Sequence, residues 1–354
     1  MWIVIALLGW IVLTLPVSMW PGGSLELLLG VYLKAVIVFW LLGSVVTTAP
    51  RLRQLVIVLT LATVPLALTG LKHFADGSFL GSASGVARIT GYQAGLAENP
   101  NDLALILNLL IPLGIALALT TRRMIIRVLL LGIVTLDAAA VIVTFSRAGF
   151  VALAVLMILY VGKLIRRPGV ERTVAYSTIA IALGLLPFVP SGYADRIATI
   201  TDVDADSTGS SQARWRDIAA ASEYVAAHPI VGAGLGMDIL ALNETRGARW
   251  TQVHNVYLQY AVDLGLPGLL LFLALFARCV AAASATRRSI SDIPALQDLA
   301  RLAEGVEISL VVFAVAGLFY PVAYHFYFYY VAGLAMAAHA ALDRGLQARG
   351  AVHA

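Results

Sequence analysis

The sequence predicts an all-α polytopic membrane protein with about ten transmembrane helices. Of its 354 residues, 60% are hydrophobic and only 12% are charged, whereas soluble domains carry about 25% charged residues. Mean hydropathy is +0.88. Apolar runs of about 20 residues, the length that crosses a hydrocarbon core, recur along the chain. The single cysteine, Cys279, excludes an internal disulfide and a cysteine-rich metal site.

The apolar runs predict the helices in order. The N-terminus lacks the basic start and small-residue cleavage site of a signal peptide, so it is predicted to be a retained helix. Ten spans are predicted: Trp2–Trp20, Leu25–Thr47, Leu52–Leu71, Leu103–Leu119, Val128–Phe145, Gly149–Ile165, Val174–Val189, Val256–Phe276, Val306–Tyr320 and Phe326–Leu342.

These spans divide the chain into four predicted parts. Residues 1–189 hold seven helices with an outer loop at 72–102, residues 190–255 form one large extracytoplasmic loop that contains short helices, residues 256–342 hold three helices, and residues 343–354 form a tail.

Basic residues predict the orientation in the membrane. With the N-terminus in the cytoplasm, fifteen lysines and arginines fall on inner segments and eight on outer ones, and Lys34 lies within a span, which accounts for all 24. Cytoplasmic loops carry the excess of basic residues in membrane proteins. Both termini are therefore predicted to be cytoplasmic, and the net charge of +4 does not indicate nucleic-acid binding.

His254 and Asn255 end the large polar loop, just before the span that begins at Val256. A histidine can exchange a proton near neutral pH, because its ordinary pKa is about 6.5. From the local sequence alone, His254 is either an interfacial residue, wet on one side and packed on the other, or a catalytic base.

Two arginines on the predicted outer side are candidates for binding an anion. Arg147 lies at the tip of a tight hairpin between two apolar spans. Either it snorkels to lipid head groups, or its guanidinium binds phosphate through paired hydrogen bonds. Arg214 opens an amphipathic helix predicted at Gln212–Ala227, where free backbone N–H groups also favour an anion. Apolar spacing places Trp215, Ile218, Ala219 and Ser222 on one face of that helix.

Other polar residues are weaker candidates. Arg88 and Asn99 lie in the first outer loop, where Asn101 and Asp102 read as a helix cap. The segment Gly232–Gly236 lacks the spacing of a nucleotide-binding loop and predicts a tight backbone path. The aromatic cluster that extends from residue 320 to residue 330, and includes His325, predicts a belt at the membrane interface, with sugar stacking as the alternative.

Four stretches, in this order along the chain, resemble the O-antigen ligase and polymerase family of bacterial membrane glycosyltransferases, which is of the GT-C type. The stretches are Asn99-Pro100-Asn101, Ser146-Arg147-Ala148-Gly149, Arg214 followed by His228-Pro229 and Gly232-Ala233-Gly234, and His254-Asn255 followed by Gly265 and Gly268. The resemblance extends over about residues 88–276.

The resemblance implies a metal-independent, inverting glycosyl transfer without a cofactor, at the outer face of the bacterial inner membrane. The donor would be a glycan on undecaprenyl diphosphate, and the acceptor lipid A-core or another glycan. His254 matches the essential histidine of the family and would be the general base. Arg147 and Arg214 match its diphosphate-binding arginines. Substrate contacts are also expected from Arg88, Asn99, Asn255, Tyr257 and His325.

Two other functions remain open at the level of sequence. A polymerase of the same fold would join repeat units on the lipid carrier. A transporter of lipid-linked glycans would instead hold polar groups near the membrane midplane, often in repeated halves. The polar residues here cluster at the predicted outer interface, and no internal repeat is visible, so the sequence favours an enzyme.

Overall fold

The computed structural model describes residues 2–80, 88–89, 99–185, 210–290 and 293–353. These residues are almost entirely helical, and their single sheet is a two-residue antiparallel pair in which Phe79 faces Ile89. The elements are α1 (Trp2–Thr14), α2 (Pro21–Leu27), α3 (Leu33–Val45), α4 (Ala49–Ala75), β1 (Phe79–Leu80), β2 (Arg88–Ile89), α5 (Pro100–Thr120), α6 (Met124–Val143), α7 (Arg147–Ile165), α8 (Val170–Leu185), α9 (Ser210–Ala227), α10 (Asp238–Arg246), α11 (Val256–Ser289), α12 (Gln297–Ala316) and α13 (Phe326–His353).

Each predicted span overlaps helical structure, although some described span ends, such as residues 18–20 and 317–320, are not helical. A π-helical turn at Leu28–Tyr32 joins α2 and α3. Within the described ranges, six helices are long and apolar enough to cross a membrane: Pro21–Val45, α4, α5, α6, α7 and α11. Segment Trp2–Val17 is apolar but shorter. The count of ten spans and the orientation stay predictions. Residues 81–87, 90–98 and 190–209 of the two predicted outer loops, and residues 186–189 at the end of the seventh predicted span, lie outside the described residues.

The chain forms two compact units. The first contains Met1–Val45, Gly209–Ala281 and Gly317–Met336, and the second contains Val46–Thr208, Ala282–Ala316 and Ala337–Ala354. The first unit has a small apolar core between α9, α10 and the start of α11, formed by side chains such as Tyr224, Met237, Leu242 and Val262.

Glycines allow the chain of the first unit to pass close to other backbone. Gly232, Gly234 and Gly236 all have positive φ, at 74°, 103° and 73°, as a tight path requires. In α11, Gly265 has φ 67° and ψ −176°, which interrupts the helix. A Cβ atom there would overlap the carbonyl oxygen of Ile230, so only glycine fits. The predicted tight path at residues 232–236 is confirmed.

Tyrosines fill the interior of the first unit. Tyr320, Tyr324, Tyr327 and Tyr329 are at most 5% exposed. The expected aromatic belt is therefore wrong for these residues. For Tyr329 this burial costs little, because its hydroxyl has hydrogen-bond partners.

Three of the buried hydroxyls form a chain of hydrogen bonds. Tyr260 donates to the carbonyl oxygen of Ala323 at 2.9 Å. Since a carbonyl only accepts, the oxygen of Tyr260 accepts from Tyr329 at 2.9 Å, and Tyr329 accepts from Tyr32 at 2.7 Å. The chain thus satisfies all three donors.

The second unit is built around α5, whose side chains are mostly buried against α4, α6, α7 and α12. Helices α5 and α7 approach each other closely at Gly149, because a Cβ atom added there would lie only 2.6 Å from the Cβ atom of Ala104. Asn108 reinforces the contact, since its side-chain amide donates to the carbonyl oxygens of Ala104 and Gly149 at 2.8 and 3.0 Å.

A branched network of charges joins α7, α8, α11 and α12 in the second unit. Its centre is Glu304, whose side chain is 1% exposed. Arg167 binds both oxygens of this carboxylate at 2.8 Å. Lys163 lies 3.6 Å and Arg301 3.9 Å from it. Further members are Glu171, which pairs with Arg167 and Arg301, and Glu307, which pairs with Arg287 and Lys163.

Candidate functional site

His254 lies on the short segment between α10 and α11 in the first unit. Hydrogen bonds hold this segment on both sides of the histidine. The N–H of Val253 donates to the Asp238 carboxylate at 2.8 Å. The N–H of Val256 donates to the carbonyl oxygen of Gly317 at 2.7 Å. The backbone on either side of the ring is therefore fixed by separate elements.

The ring of His254 has a defined tautomer. Its Nδ1 lies 3.0 Å from the carbonyl oxygen of Gln252, and a carbonyl only accepts, so Nδ1 carries the proton and Nε2 holds the basic lone pair. Burial lowers the pKa of His254, and the charges of Arg214 and Arg246 lower it further, against the opposing effect of Asp217. The neutral ring is therefore favoured at pH 7.

Arg214 is the fifth residue of α9, one turn beyond the start at Ser210, so it does not open the helix as predicted. It is partly buried and close enough to influence the His254 ring electrostatically. The predicted helix is confirmed, but the predicted face is wrong. Trp215 is 61% exposed, whereas the buried side carries Asp217, Ala220, Ala221 and Tyr224. Asp217 is buried because it forms an ion pair with Arg246 of α10.

Asn255 is the N-cap of α11. Its side-chain oxygen accepts from the N–H groups of Tyr257 and Leu258 at 2.9 and 3.0 Å. Only its amide nitrogen is then suited to face a substrate. Tyr257, in the first turn, is partly buried, with its ring 6.2 Å from that of Phe272.

His325 lies on the segment that links α12 to α13. The segment is attached to α11 through the N–H of Ala323, which donates to the side chain of Gln259 at 3.0 Å. His325 itself is exposed, and its ring is 6.4 Å from that of Tyr327. His254 and His325 thus belong to segments that α11 supports.

Arg147 and Asn99 belong to the second unit. Arg147 is the first residue of α7, directly after Phe145, which has φ 53°, and the N-cap Ser146. The Ser146 hydroxyl accepts from the N–H of Gly149 at 3.1 Å and donates to the side chain of Asn101 at 2.8 Å. The start of α7 at Arg147 is thereby tied to the first turn of α5.

Asn99 is the N-cap of α5. Its side-chain oxygen accepts from the N–H of Asn101 at 2.9 Å. A capped start of this helix was predicted, but the assignment of the cap to Asn101 and Asp102 is wrong, because both lie in the first turn of α5 and Asn99 is the capping residue. Arg88 lies in β2, where its backbone pairs with Leu80.

Two buried carboxylates support the glycine segment and the start of α10. Asp238 and Asp263 are both 0% exposed. Asp263 accepts from the N–H of Gly236 at 3.1 Å. Burial raises the pKa of Asp238 to about 6, although its bond from Val253 acts in the opposite direction. These acids bind backbone groups, and their role is to fix the loop.

Sequence analysis did not identify Asp217, Asp238 and Arg246 as part of the site. Their partners are 15 or more residues away along the chain, and no local pattern indicates such pairs. One signal was available. Asp217 and Arg246 are charged residues in short helices that also carry apolar side chains, a pattern that a buried ion pair would explain.

The fold and the site define an α-helical membrane protein. Its first unit contains a histidine whose neutral form is favoured by burial and by nearby arginine charges. Residues 130–273 match the family model described as O-antigen ligase. The predicted resemblance to the O-antigen ligase and polymerase family is thereby confirmed over this segment, which includes Arg147, Arg214 and His254. A comparison with curated proteins finds no match.

Proposed function

We propose that the protein transfers a glycan from undecaprenyl diphosphate to an acceptor hydroxyl, with His254 as the general base and Arg147 and Arg214 as ligands of the diphosphate. The proposal places the site at the outer face of the bacterial inner membrane, with lipid A-core or another glycan as the acceptor. Asn255, through its amide nitrogen, and Tyr257 would contact the acceptor, since both adjoin His254. Arg88, Asn99 and His325 are proposed as further substrate contacts.

The state of His254 is the observation that carries this proposal. A general base must be unprotonated at the working pH and must present its lone pair to the substrate. The bond from Nδ1 to Gln252 leaves the lone pair on Nε2. Burial and the charge of Arg214 favour the neutral ring. A histidine that served only to interact with lipid head groups would need neither feature.

The reaction follows from these roles. Nε2 of His254 takes the proton of the acceptor hydroxyl, and the oxygen attacks the anomeric carbon with inversion. The bond from that carbon to the diphosphate oxygen breaks, and the electron pair leaves with undecaprenyl diphosphate. Fixed cations stabilise such leaving-group charge in a dry site. Arg147 and Arg214 supply that charge in this proposal, so no step requires a metal.

The length of α7 is compatible with Arg147 and Lys163 at opposite surfaces of the membrane. Arg147 and Lys163 are the first-turn and last-turn cations of the same helix. Sixteen residues of α-helix span about 24 Å, which is close to the thickness of a hydrocarbon core. Lys163 and the charge network would then lie at the cytoplasmic surface, while Arg147 would face outward.

The test is a transfer assay with purified protein in detergent, undecaprenyl-diphosphate-linked glycan and lipid A-core. His254→Ala should lower kcat by roughly 10² to 10⁴, the usual contribution of a general base. Arg214→Ala and Arg147→Ala should also abolish most transfer. Matched controls are His73→Gln, a histidine at the end of α4, and Arg216→Ala, an exposed neighbour of Arg214.

Each alternative has its own product. Longer glycans that stay on the lipid carrier would show a polymerase. Movement of lipid-linked glycan across liposomes without any new bond would show a transporter. Transfer at the wild-type rate by His254→Ala would overturn the role of the histidine, even if the enzyme proved to be a ligase.

A further inference from the structure

The ion pair between Arg246 and Asp217 connects the two elements that carry the proposed catalytic groups. Asp217 lies three residues after Arg214 on α9, and Arg246 is the last residue of α10. Their side chains are only 5% and 6% exposed. A buried pair of this kind gains from a fixed geometry, since neither charge can turn to water.

Arg246 also holds the segment that leads to His254. One of its terminal nitrogens donates to the carbonyl oxygen of Thr251 at 2.6 Å and to the Thr251 hydroxyl at 3.1 Å. Thr251 is three residues before the histidine. The planar guanidinium can serve Asp217 and Thr251 at once, whereas a lysine ammonium lacks this fork.

The opposite end of α10 makes a second attachment to the same segment. Asp238, its first residue, accepts from the N–H of Val253 at 2.8 Å. The nine residues of α10 therefore contact the approach to His254 at both ends. Beside the apolar core that packs α9 against α10, the Arg246–Asp217 pair adds a polar link between the helix of Arg214 and this approach.

We propose that Arg246 and Asp217 are positioning residues that set the His254 ring against Arg214. This inference rests on the proposed function and adds residues outside the motifs of the family resemblance. The pair holds the geometry in which Nε2 reaches the acceptor hydroxyl while Arg214 reaches the diphosphate. A displacement of about 1 Å in such an arrangement can lower the rate as much as 100-fold.

The charges of Arg246 and Asp217 allow a test that loss of folding cannot imitate. The charged groups that act on His254 are Arg214 and Asp217 of α9 and Arg246 of α10. Arg246 lowers the pKa of His254 and Asp217 raises it. Arg246→Gln should therefore raise the pKa of His254, and Asp217→Asn should lower it. Loss of fold alone would not shift it in opposite directions.

The experiment measures the pH dependence of kcat/KM for both variants and titrates His254 by NMR in protein with labelled histidine. The His254 signal is identified by its absence in His254→Ala. The kcat of each variant should be at least about 10-fold lower than that of the wild type. The acid limb of the profile should move to higher pH in Arg246→Gln and to lower pH in Asp217→Asn.

Arg246→Lys separates charge from geometry. It keeps the positive charge, so the acid limb should stay in place, but it loses the fork, so kcat should still fall. Wild-type kcat in both Arg246→Gln and Asp217→Asn would overturn the positioning role, and so would shifts of the His254 titration in the same direction. If wild-type protein transfers no glycan while the opposite NMR shifts appear, the proposed function fails instead.

Discussion

The two units hold their buried charges in different ways. In the first unit, Asp217 and Arg246 form one dedicated pair. In the second unit, Glu304 lies at the centre of a network that includes four cations and two further carboxylates. Among the residues that the structure describes, each charge of the first arrangement has one ion-pair partner, whereas the second arrangement has several.

The two arrangements differ in how precisely they fix the helices and in how well they withstand the loss of one charge. A dedicated pair fixes two elements at one distance and has no replacement when a partner is lost. A network spreads the same attraction over several contacts, so each cation keeps a neighbour when one is removed. The first arrangement suits a site where a base and a cation must be aligned, and the second suits an anchor between helix ends.

The largest effect is expected from Asp217→Leu, which leaves Arg246 buried without its counter-charge. Removing one partner of a buried pair costs about 3–5 kcal/mol. The free energy of unfolding should fall by that amount in an SDS titration in mixed micelles. The control is Glu223→Leu, which removes an exposed carboxylate from the same helix. Equal losses in the two variants would contradict the dedicated pair.

Glu304→Gln tests the centre of the network and should have the second-largest effect. It removes the charge that both nitrogens of Arg167 bind, at a cost of about 2 kcal/mol for hydrogen bonds to a charged group. Arg167 keeps Glu171 at 3.1 Å, which limits the loss. The control is Asp298→Asn, an exposed acid on the same helix. A loss as large as that of Asp217→Leu would show that the network does not compensate.

Ser146→Ala tests whether other contacts can replace a hydroxyl that forms two hydrogen bonds. The variant loses the N-cap bond to Gly149 and the bond to Asn101, and a lost cap costs about 1 kcal/mol. Because Arg147 follows the cap, KM for the lipid-linked donor should rise as well. Ser146→Thr keeps the hydroxyl and should restore both quantities. A fully stable Ser146→Ala would show that other contacts define the start of α7.

Lys163→Ala should have the smallest effect, below about 0.5 kcal/mol, because its side chain is 32% exposed and its ion pairs are 3.6 and 3.9 Å long. Arg167 and Arg301 still face Glu304, and Arg287 still binds Glu307. The same SDS titration measures this loss in the free energy of unfolding. A loss above 2 kcal/mol would remove the distinction between the network and the dedicated pair.

The helical architecture could be predicted because it depends on local composition. Apolar runs located the helices, and the polar residues around Pro100 predicted a capped start, although Asn99 provides the cap in place of Asn101 and Asp102. The helix that carries Arg214 was predicted within two residues of its start. These features follow from hydropathy and backbone capping, which act over a few neighbouring residues.

The long-range pairs could not be predicted because they depend on the fold. The face of α9 was assigned wrongly, since periodicity treats Trp215 as inward and Asp217 as outward, and the pair with Arg246 reverses this. The burial of Tyr329 was missed for a similar reason. Its hydroxyl partners, Tyr32 and Tyr260, are 297 and 69 residues away.

The chain of tyrosine hydroxyls places a row of aligned dipoles in the interior of the first unit. The O–H dipoles of Tyr32, Tyr329 and Tyr260 align head to tail and point toward the carbonyl oxygen of Ala323. That oxygen belongs to the segment that carries His325. If the segment withdrew, the last hydroxyl would lose its fixed acceptor and all three dipoles would be free to reorient together. The position of this segment is thus coupled to the orientation of hydroxyl groups in the interior of the first unit.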